Sequence, residues 1–199
     1  APVSPQTHAA SSIGARPNII HIIIDDIGYD DFSIYGSLYY QTPHIDALAK
    51  EGTRLTNFYA PHGTCTPTRA AIMTGRYSPR INDRIGLGVL FPSNTNGLDS
   101  SKEITFTKQL QKVGYATALV GKWHLGHAPE HNPHARGFDH SFVLLDGFDL
   151  HFKDQPKNYP RKVQYTENGQ KTELPDGYFS TDYFTQKAFE YLDKNKQAK

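Results

Sequence analysis

Cysteine is almost absent from this chain of 199 residues, which contains one cysteine, one methionine and one tryptophan. A single cysteine excludes an intramolecular disulfide and any zinc cluster built from several thiolates. An excess of charge is also missing, because 21 lysines and arginines stand against 20 aspartates and glutamates, for a formal net charge of +1. This balance argues against general binding to nucleic acid or to an anionic membrane.

Long hydrophobic runs are missing as well. The longest, Ile19 to Ile24, is interrupted by His21, whereas a membrane-spanning helix needs roughly 20 apolar residues. Residues 1–15 are small and polar and contain no lysine or arginine, so they lack the basic and apolar regions of a signal peptide. We expect residues 1–15 to be a flexible leader, or the start of an exported chain whose signal has been removed.

The first candidate site follows a predicted strand. Residues 18–24 are apolar at nearly every position, which is typical of a central strand in a covered, largely parallel sheet. Asp25 and Asp26 come directly after it, and ligands of open α/β sheets bind beyond the carboxyl ends of strands. Two adjacent carboxylates there suit a hard cation such as Ca²⁺ or Mg²⁺, although an Asp-Asp pair is also common in turns and helix caps.

The second candidate site surrounds the only cysteine, in Gly63-Thr64-Cys65-Thr66-Pro67-Thr68-Arg69. Thr66 is a predicted helix N-cap, and Pro67 suits the first helical position. Cys65 would then lie where unpaired amides and the helix dipole favour an anion, with Arg69 facing the same way. This pattern predicts a small anion site around one reactive side chain; the alternative is an ordinary buried cysteine beside a surface arginine.

The third candidate site is Gly121-Lys122-Trp123-His124-Leu125-Gly126, which follows a mostly apolar strand predicted over 115–120. In extended backbone, residues two apart point to the same side, so Lys122 and His124 would reach one ligand together. Lysine supplies a fixed positive charge, and histidine can hydrogen-bond or transfer a proton. A surface Lys-x-His with no role is the alternative.

Local patterns predict the other elements. They are a helix from Thr42 to Gly52, a strand over 54–59, a long loop over 79–101, a helix over 104–113, a hairpin with its turn at Asn168-Gly169 and a helix over 178–195. The helix after Thr42 would bury Ile45, Leu48 and Ala49, and together with the strand over 54–59 would complete a β-α-β unit leading to the cysteine.

The stretch from Cys65 to Gly75 closely resembles the signature of the type I sulfatases, whose cysteine is oxidised to formylglycine. The run from Gly121 to Gly126 is very similar to their second signature, and Asp25-Asp26 resembles the first metal-binding motif of these enzymes and of the wider alkaline-phosphatase superfamily. The resemblance is arylsulfatase-like and covers roughly residues 16–195, the amino-terminal part of a typical sulfatase. It implies a truncated α/β fold with a mostly parallel central sheet between helices, in which residues 16–199 belong to the catalytic domain.

The resemblance also implies roles for individual residues. Asp25, Asp26 and Cys65 would be ligands of a divalent cation, Ca²⁺ in preference to Mg²⁺. Formylglycine made from Cys65 would hydrate to a gem-diol, one hydroxyl attacking sulfur and the other later expelling sulfate. Arg69 would stabilise the diol, Lys122 would hold sulfate oxygens and His124 would hold or accept a proton.

The implied partners are a sulfate ester, either an aryl sulfate or a sulfated carbohydrate, and a formylglycine-generating enzyme. Neither nucleic acid nor a membrane span is expected, and the implied location is outside the cytoplasm: periplasmic, secreted or lysosome-like. Two alternatives remain: a phosphonate or phosphate ester hydrolase of the same superfamily, and a catalytically incomplete fragment that only binds sulfated ligands. Because relatives carry further active-site groups downstream, we expect weak metal binding and little turnover from these 199 residues alone.

Overall fold

The computed structural model describes residues 16–81, 85, 88–91, 96–152 and 163–196. The chain divides into two compact units, Ala1–Thr56 and Asn57–Lys199. The predicted leader, residues 1–15, lies outside the described residues. In the described part of the chain, none of the helices is long and apolar enough to cross a membrane.

The first unit contains two short 3₁₀ helices, Tyr29–Asp31 and Ser33–Tyr35, and helix α1, Pro43–Glu51. The predicted helix is confirmed: Pro43 opens it, and the N–H of Gly52 donates to Leu48 O at its end. Leu48 itself is 66% exposed, so its predicted place on a buried stripe is wrong.

Asp46, in the first turn of α1, ties this helix to the preceding 3₁₀ helix. Its carboxylate accepts hydrogen bonds from Ser33 Oγ at 2.8 Å, Ile34 N at 3.0 Å and Thr42 Oγ1 at 3.0 Å. Desolvation acts to raise the pKa of Asp46, but these hydrogen bonds favour the ionised form and leave the pKa below its usual value. These polar contacts therefore fix α1 against the 3₁₀ helix Ser33–Tyr35.

Two predicted strands are absent. Within the described residues, neither 18–24 nor 54–59 forms strand hydrogen bonds, so the predicted β-α-β unit leading to the cysteine is also wrong. Ile19, Ile20 and Ile22 are 59%, 73% and 72% exposed. An apolar strand requires a hydrogen-bonded neighbour and cover on both faces, and the residues described here give this stretch neither.

The described residues of the second unit form a mixed four-stranded sheet and three α-helices, listed in chain order: α2 (Cys65–Thr74), α3 (Phe106–Lys112), β1 (Ala118–Lys122), β2 (His140–Leu144), β3 (Tyr165–Glu167), β4 (Gln170–Thr172) and α4 (Ser180–Lys194). Single 3₁₀ turns occur at Ser78–Arg80, Pro129–His131 and Pro133–Arg136. The strand order is β1-β2-β3-β4. β1 and β2 are parallel, with Lys122 opposite Leu144, and the other pairs are antiparallel.

Several local predictions are confirmed in this unit. Helices α3 and α4 lie within their predicted ranges, and Gly114, at φ +84°, follows α3. Asn168 and Gly169 both have positive φ, +50° and +83°, which matches the two-residue turn expected of a hairpin. The strand predicted over 115–120 begins later, at Ala118, and extends to Lys122.

Two apolar clusters lie on this unit. The larger one joins α2 to β2 and to the segments that follow β1 and β2, through side chains including Ala70, Met73, Ile85, Leu98, Trp123, Leu125, Val143 and Leu145. The smaller one, Phe142, Leu144, Tyr165 and Leu174, packs against Tyr183 and Phe184 of α4. Helix α2 and the carboxyl end of β1 are therefore fixed to one core.

Candidate active site

Cys65 is the first residue of α2, with Thr64 rather than Thr66 as the N-cap. The predicted start was two residues late, and Thr66 and Pro67 lie inside the first turn. Pro67 is tolerated there because the first N–H groups of a helix have no partner within it. Cys65 is partly buried, and its position at a helix N-terminus retains the predicted preference for negative charge.

The thiol of Cys65 meets the imidazole of His124, with Sγ 3.2 Å from Nδ1. The ring is 1% exposed, and its Nε2 lies 2.8 Å from the carbonyl oxygen of Leu90. Because a carbonyl only accepts, Nε2 must carry the proton, which leaves Nδ1 of the neutral ring as an acceptor facing Cys65. In that neutral ring, the fold presents an acceptor nitrogen to the only sulfhydryl group in the chain.

Arg69, one helical turn after Cys65, connects α2 to the end of β1. Its Nη1 donates to the main-chain oxygen of Lys122 at 2.7 Å. The structure therefore brings Cys65 and His124 together by side-chain contact, and joins the side chain of Arg69 to the main-chain oxygen of Lys122.

His124 reaches Cys65 by a route that strand alternation does not predict. β1 ends at Lys122, and His124 has φ +59°, in the left-handed region. Trp123, between Lys122 and His124, is 2% exposed. Its Nε1 donates to His131 O at 2.9 Å, and its ring packs edge-to-face on Phe138. The chain therefore turns after a residue anchored in the core, and this turn aims the imidazole at α2.

Sequence patterns do not identify a second group of residues, Asp146, His127 and Gly147, which meets the ring of His124 through Gly147. The carboxylate of Asp146 lies 3.0 Å from His127 Nε2 and accepts from Gln164 N at 2.7 Å. Gly147 follows, and a Cβ built on it would lie 2.6 Å from Cε1 of His124. One signal could have identified this group: the apolar run over 142–145 ends in Asp146-Gly147, as the run over 18–24 ends in Asp25-Asp26.

The predicted metal ligands Asp25 and Asp26 lie in the first unit, and both are exposed. Their adjacent carboxylates suit a hard cation, which takes six or more oxygen ligands. Among the described residues, no cluster of three or more histidine, cysteine, aspartate or glutamate side chains could hold a metal. The donor chemistry therefore fits Ca²⁺ or Mg²⁺, but these two residues supply only part of a coordination sphere.

Asp149 and His151 lie in the same loop as Asp146. His151 Nδ1 is 2.8 Å from Ser180 Oγ, at the start of α4. Burial, and then the neighbouring charge of Asp149, raises the pKa of Tyr165 above its usual range. These contacts join the loop to β3 and α4 and place no further group on Cys65.

Comparison with known proteins identifies the relatives of this arrangement. The family model described as Sulfatase matches residues 17–199. The steryl-sulfatase of Homo sapiens is 44% identical over 149 residues, which cover 70% of this chain and 24% of that protein. The chain thus spans about a quarter of the length of this curated relative.

Solved structures agree with this match. Ps i-CgsB superposes with a TM-score of 0.80 at 34% identity, over 90% of this chain and 42% of its own. A protein solved in complex with its substrate, D-glucosamine-2-N,6-O-disulfate, gives a TM-score of 0.69 at 33% identity, over 90% and 31% of the two chains. The predicted alkaline-phosphatase-like α/β fold is confirmed, as a partial domain with a mixed sheet.

Proposed function

Because this chain belongs to the sulfatase family, we propose that it forms part of an enzyme that hydrolyses sulfate monoesters, with the reacting group at position 65. The observation that carries this proposal is the 3.2 Å contact between Cys65 Sγ and His124 Nδ1 at the N-terminus of α2. A helix N-terminus favours an anionic substrate, and the buried imidazole supplies a proton acceptor beside the reacting side chain.

The proposal gives each residue of this cluster a task. Cys65 is oxidised to formylglycine, whose hydrated form supplies a nucleophilic hydroxyl and a second hydroxyl that allows release of sulfate. Nδ1 of His124 accepts a proton from side chain 65, because Nε2 is committed to Leu90 O. Arg69 adds positive charge one turn along the helix, and Lys122, at the end of β1, binds sulfate oxygens.

The sulfatase family implies a divalent cation, and we assign Asp25 and Asp26 as carboxylate ligands, with Ca²⁺ preferred over Mg²⁺. A divalent cation held by carboxylates would supply positive charge that favours ionisation of a hydroxyl bound to it. The further role of Cys65 as a metal ligand stays a prediction. Treatment with a chelator should remove activity, and added Ca²⁺ should restore it.

The alcohol part of the substrate is proposed to be a phenol or a carbohydrate. One solved relative has D-glucosamine-2-N,6-O-disulfate as its substrate, and another relative is named steryl-sulfatase. These relatives share the sulfate group and differ in the alcohol, as expected when loops set specificity on a common fold. We further propose export from the cytoplasm and a formylglycine-generating enzyme as the modifying partner.

The test uses the whole protein, including any segment that follows residue 199, produced together with a formylglycine-generating enzyme. Peptide mass mapping should show a loss of roughly 18 Da at position 65, as expected for conversion of CH₂SH to an aldehyde. The protein should then hydrolyse an aryl sulfate, and Cys65→Ser should not.

A matched aryl phosphate serves as the control substrate, since it carries nearer two negative charges than one and tests the phosphate ester alternative. Faster hydrolysis of the phosphate would overturn the assignment to sulfate esters. Full activity of Cys65→Ser would overturn the formylglycine mechanism.

A further inference from the structure

A buried pair of side chains, His127 and Asp146, lies outside the tasks assigned above. Nε2 of His127 is 3.0 Å from Oδ1 of Asp146, and the two side chains are 9% and 0% exposed. The second carboxylate oxygen accepts from Gln164 N at 2.7 Å. An ionised carboxylate can accept hydrogen bonds but cannot donate them, so Nε2 of His127 is the donor. A fully buried carboxylate held by two hydrogen-bond donors fixes its segment of chain firmly.

The pair joins two loops that leave the same edge of the sheet. β1 and β2 are parallel, Lys122 lies opposite Leu144, and Trp123 N donates to Leu144 O at 2.8 Å just beyond the strands. His127 follows β1, and Asp146 follows β2. Their contact therefore ties the loop that carries His124 to the loop that carries Gly147.

Gly147 in turn lies against the imidazole of His124. A Cβ at this position would come within 2.6 Å of Cε1, 2.8 Å of Nε2 and 3.2 Å of Nδ1. The first two distances are shorter than real Cβ atoms adopt and the third is tighter than most, so the main chain of Gly147 is in close contact with the ring. Nδ1 of the ring lies against Cys65 Sγ, and Nε2 lies against Leu90 O. These two hydrogen bonds and the main chain of Gly147 thus restrain the ring.

We propose that Asp146, His127 and Gly147 position the imidazole of His124. Asp146, fixed by Gln164 and His127, sets the path of the next residue, Gly147, whose missing side chain leaves room for the ring. Within the described part of the chain, none of the three hydrogen-bonds to Cys65, so each is a positioning residue. Their effect on turnover rests on the proposed function, whereas their effect on the ring does not.

The experiment uses the whole protein and compares four test variants and one control variant with the unsubstituted enzyme. Gly147→Ala introduces a methyl group that requires the ring or the loop to move by about 1 Å, and such a displacement should lower kcat about 100-fold while KM changes little. Asp146→Asn keeps the size of the side chain, but it replaces one of the two accepting carboxylate oxygens by an NH₂ group, which cannot accept from His127 or Gln164, so kcat should fall about tenfold.

The third and fourth variants form a matched pair at position 127. His127→Gln retains an N–H donor toward Asp146 and should keep the kcat of the unsubstituted enzyme. His127→Leu removes the donor and should lower kcat as Asp146→Asn does. His134→Ala, at an exposed histidine, is the control and should leave kcat unchanged. Urea denaturation of each variant separates folding from positioning, because a purely stabilising role would leave kcat per folded molecule unchanged.

A crystal structure of each variant gives a readout that does not depend on activity, the distance between side chain 65 and His124 Nδ1. Lengthening of this distance in Gly147→Ala, with the kcat pattern above, supports the proposal. An unchanged distance in Gly147→Ala and Asp146→Asn overturns it, even if kcat falls. Absence of sulfatase activity in the unsubstituted, modified protein would overturn the proposed function instead, and the distances would still decide the positioning.

Discussion

The two ring nitrogens of His124 have different partners, which allows their contributions to be separated by two amide substitutions. In His124→Asn the amide nitrogen lies near the position of Nδ1, and in His124→Gln it lies near the position of Nε2. The asparagine variant therefore keeps a polar group beside position 65 and loses the bond to Leu90 O. The glutamine variant keeps the bond to Leu90 O and loses the group beside position 65.

The expected magnitudes follow from these contacts. Leu90 is 3% exposed, so loss of the hydrogen bond to its carbonyl in His124→Asn should lower the free energy of unfolding by about 1–3 kcal/mol. His124→Gln should change this free energy by less. Neither amide accepts a proton at neutral pH, so both variants should lose roughly 100- to 10,000-fold in kcat, the usual contribution of general acid–base catalysis.

The assays are hydrolysis of an aryl sulfate and urea denaturation of the same preparations. If His124→Gln were as stable as the unsubstituted protein and as active, Nδ1 would have no part in the chemistry. If the glutamine variant lost more stability than the asparagine variant, the assignment of the proton to Nε2 would be wrong.

Three further predictions concern other parts of the second unit. Cys65→Ala should abolish sulfate ester hydrolysis while leaving the melting temperature nearly unchanged, which a paired activity and calorimetry measurement checks. Phe142, 0% exposed between the sheet and α4, should cost about 3–5 kcal/mol in unfolding free energy when replaced by alanine; a loss below about 1 kcal/mol in urea denaturation would contradict its place in the core. Burial lowers the pKa of His140, which stacks on Tyr191, so its contribution to stability is present above the unfolded value of 6.5 and declines as the pH falls below it. His140→Phe should keep the stacking and flatten that part of the stability–pH curve, and an unchanged curve would remove His140 as its cause.

The elements that sequence predicted well depend on nearby residues. Pro43 and Gly52 mark the ends of α1, and Asn168-Gly169 specifies the hairpin turn, because capping and positive φ are local requirements. The stretch over 18–24 was predicted as a strand and is not one here, because a strand depends on a partner elsewhere in the chain. Apolar composition alone cannot supply that partner.

In the candidate site, too, the sequence identifies individual residues but not the contacts that depend on distant parts of the chain. The residue types at 65, 69, 122 and 124 were readable from their motifs, and the structure joins Cys65 to His124 and Arg69 to the main chain of Lys122. The basis for placing His124 was wrong, since alternation assumes extended backbone and His124 has a positive φ. Asp146 and His127 were missed because their contact arises only when β1 and β2 pair in parallel, which joins residues 19 positions apart.

The single tryptophan of the chain has a consequence for spectroscopy. Trp123 lies between Lys122 and His124, is 2% exposed and donates its indole N–H to His131 O. Its fluorescence should therefore be shielded from quenchers dissolved in water, and should become accessible to iodide or acrylamide when this segment leaves the core. Trp123 fluorescence would thus report in real time, without any added label, whether the segment bearing Lys122 and His124 remains folded.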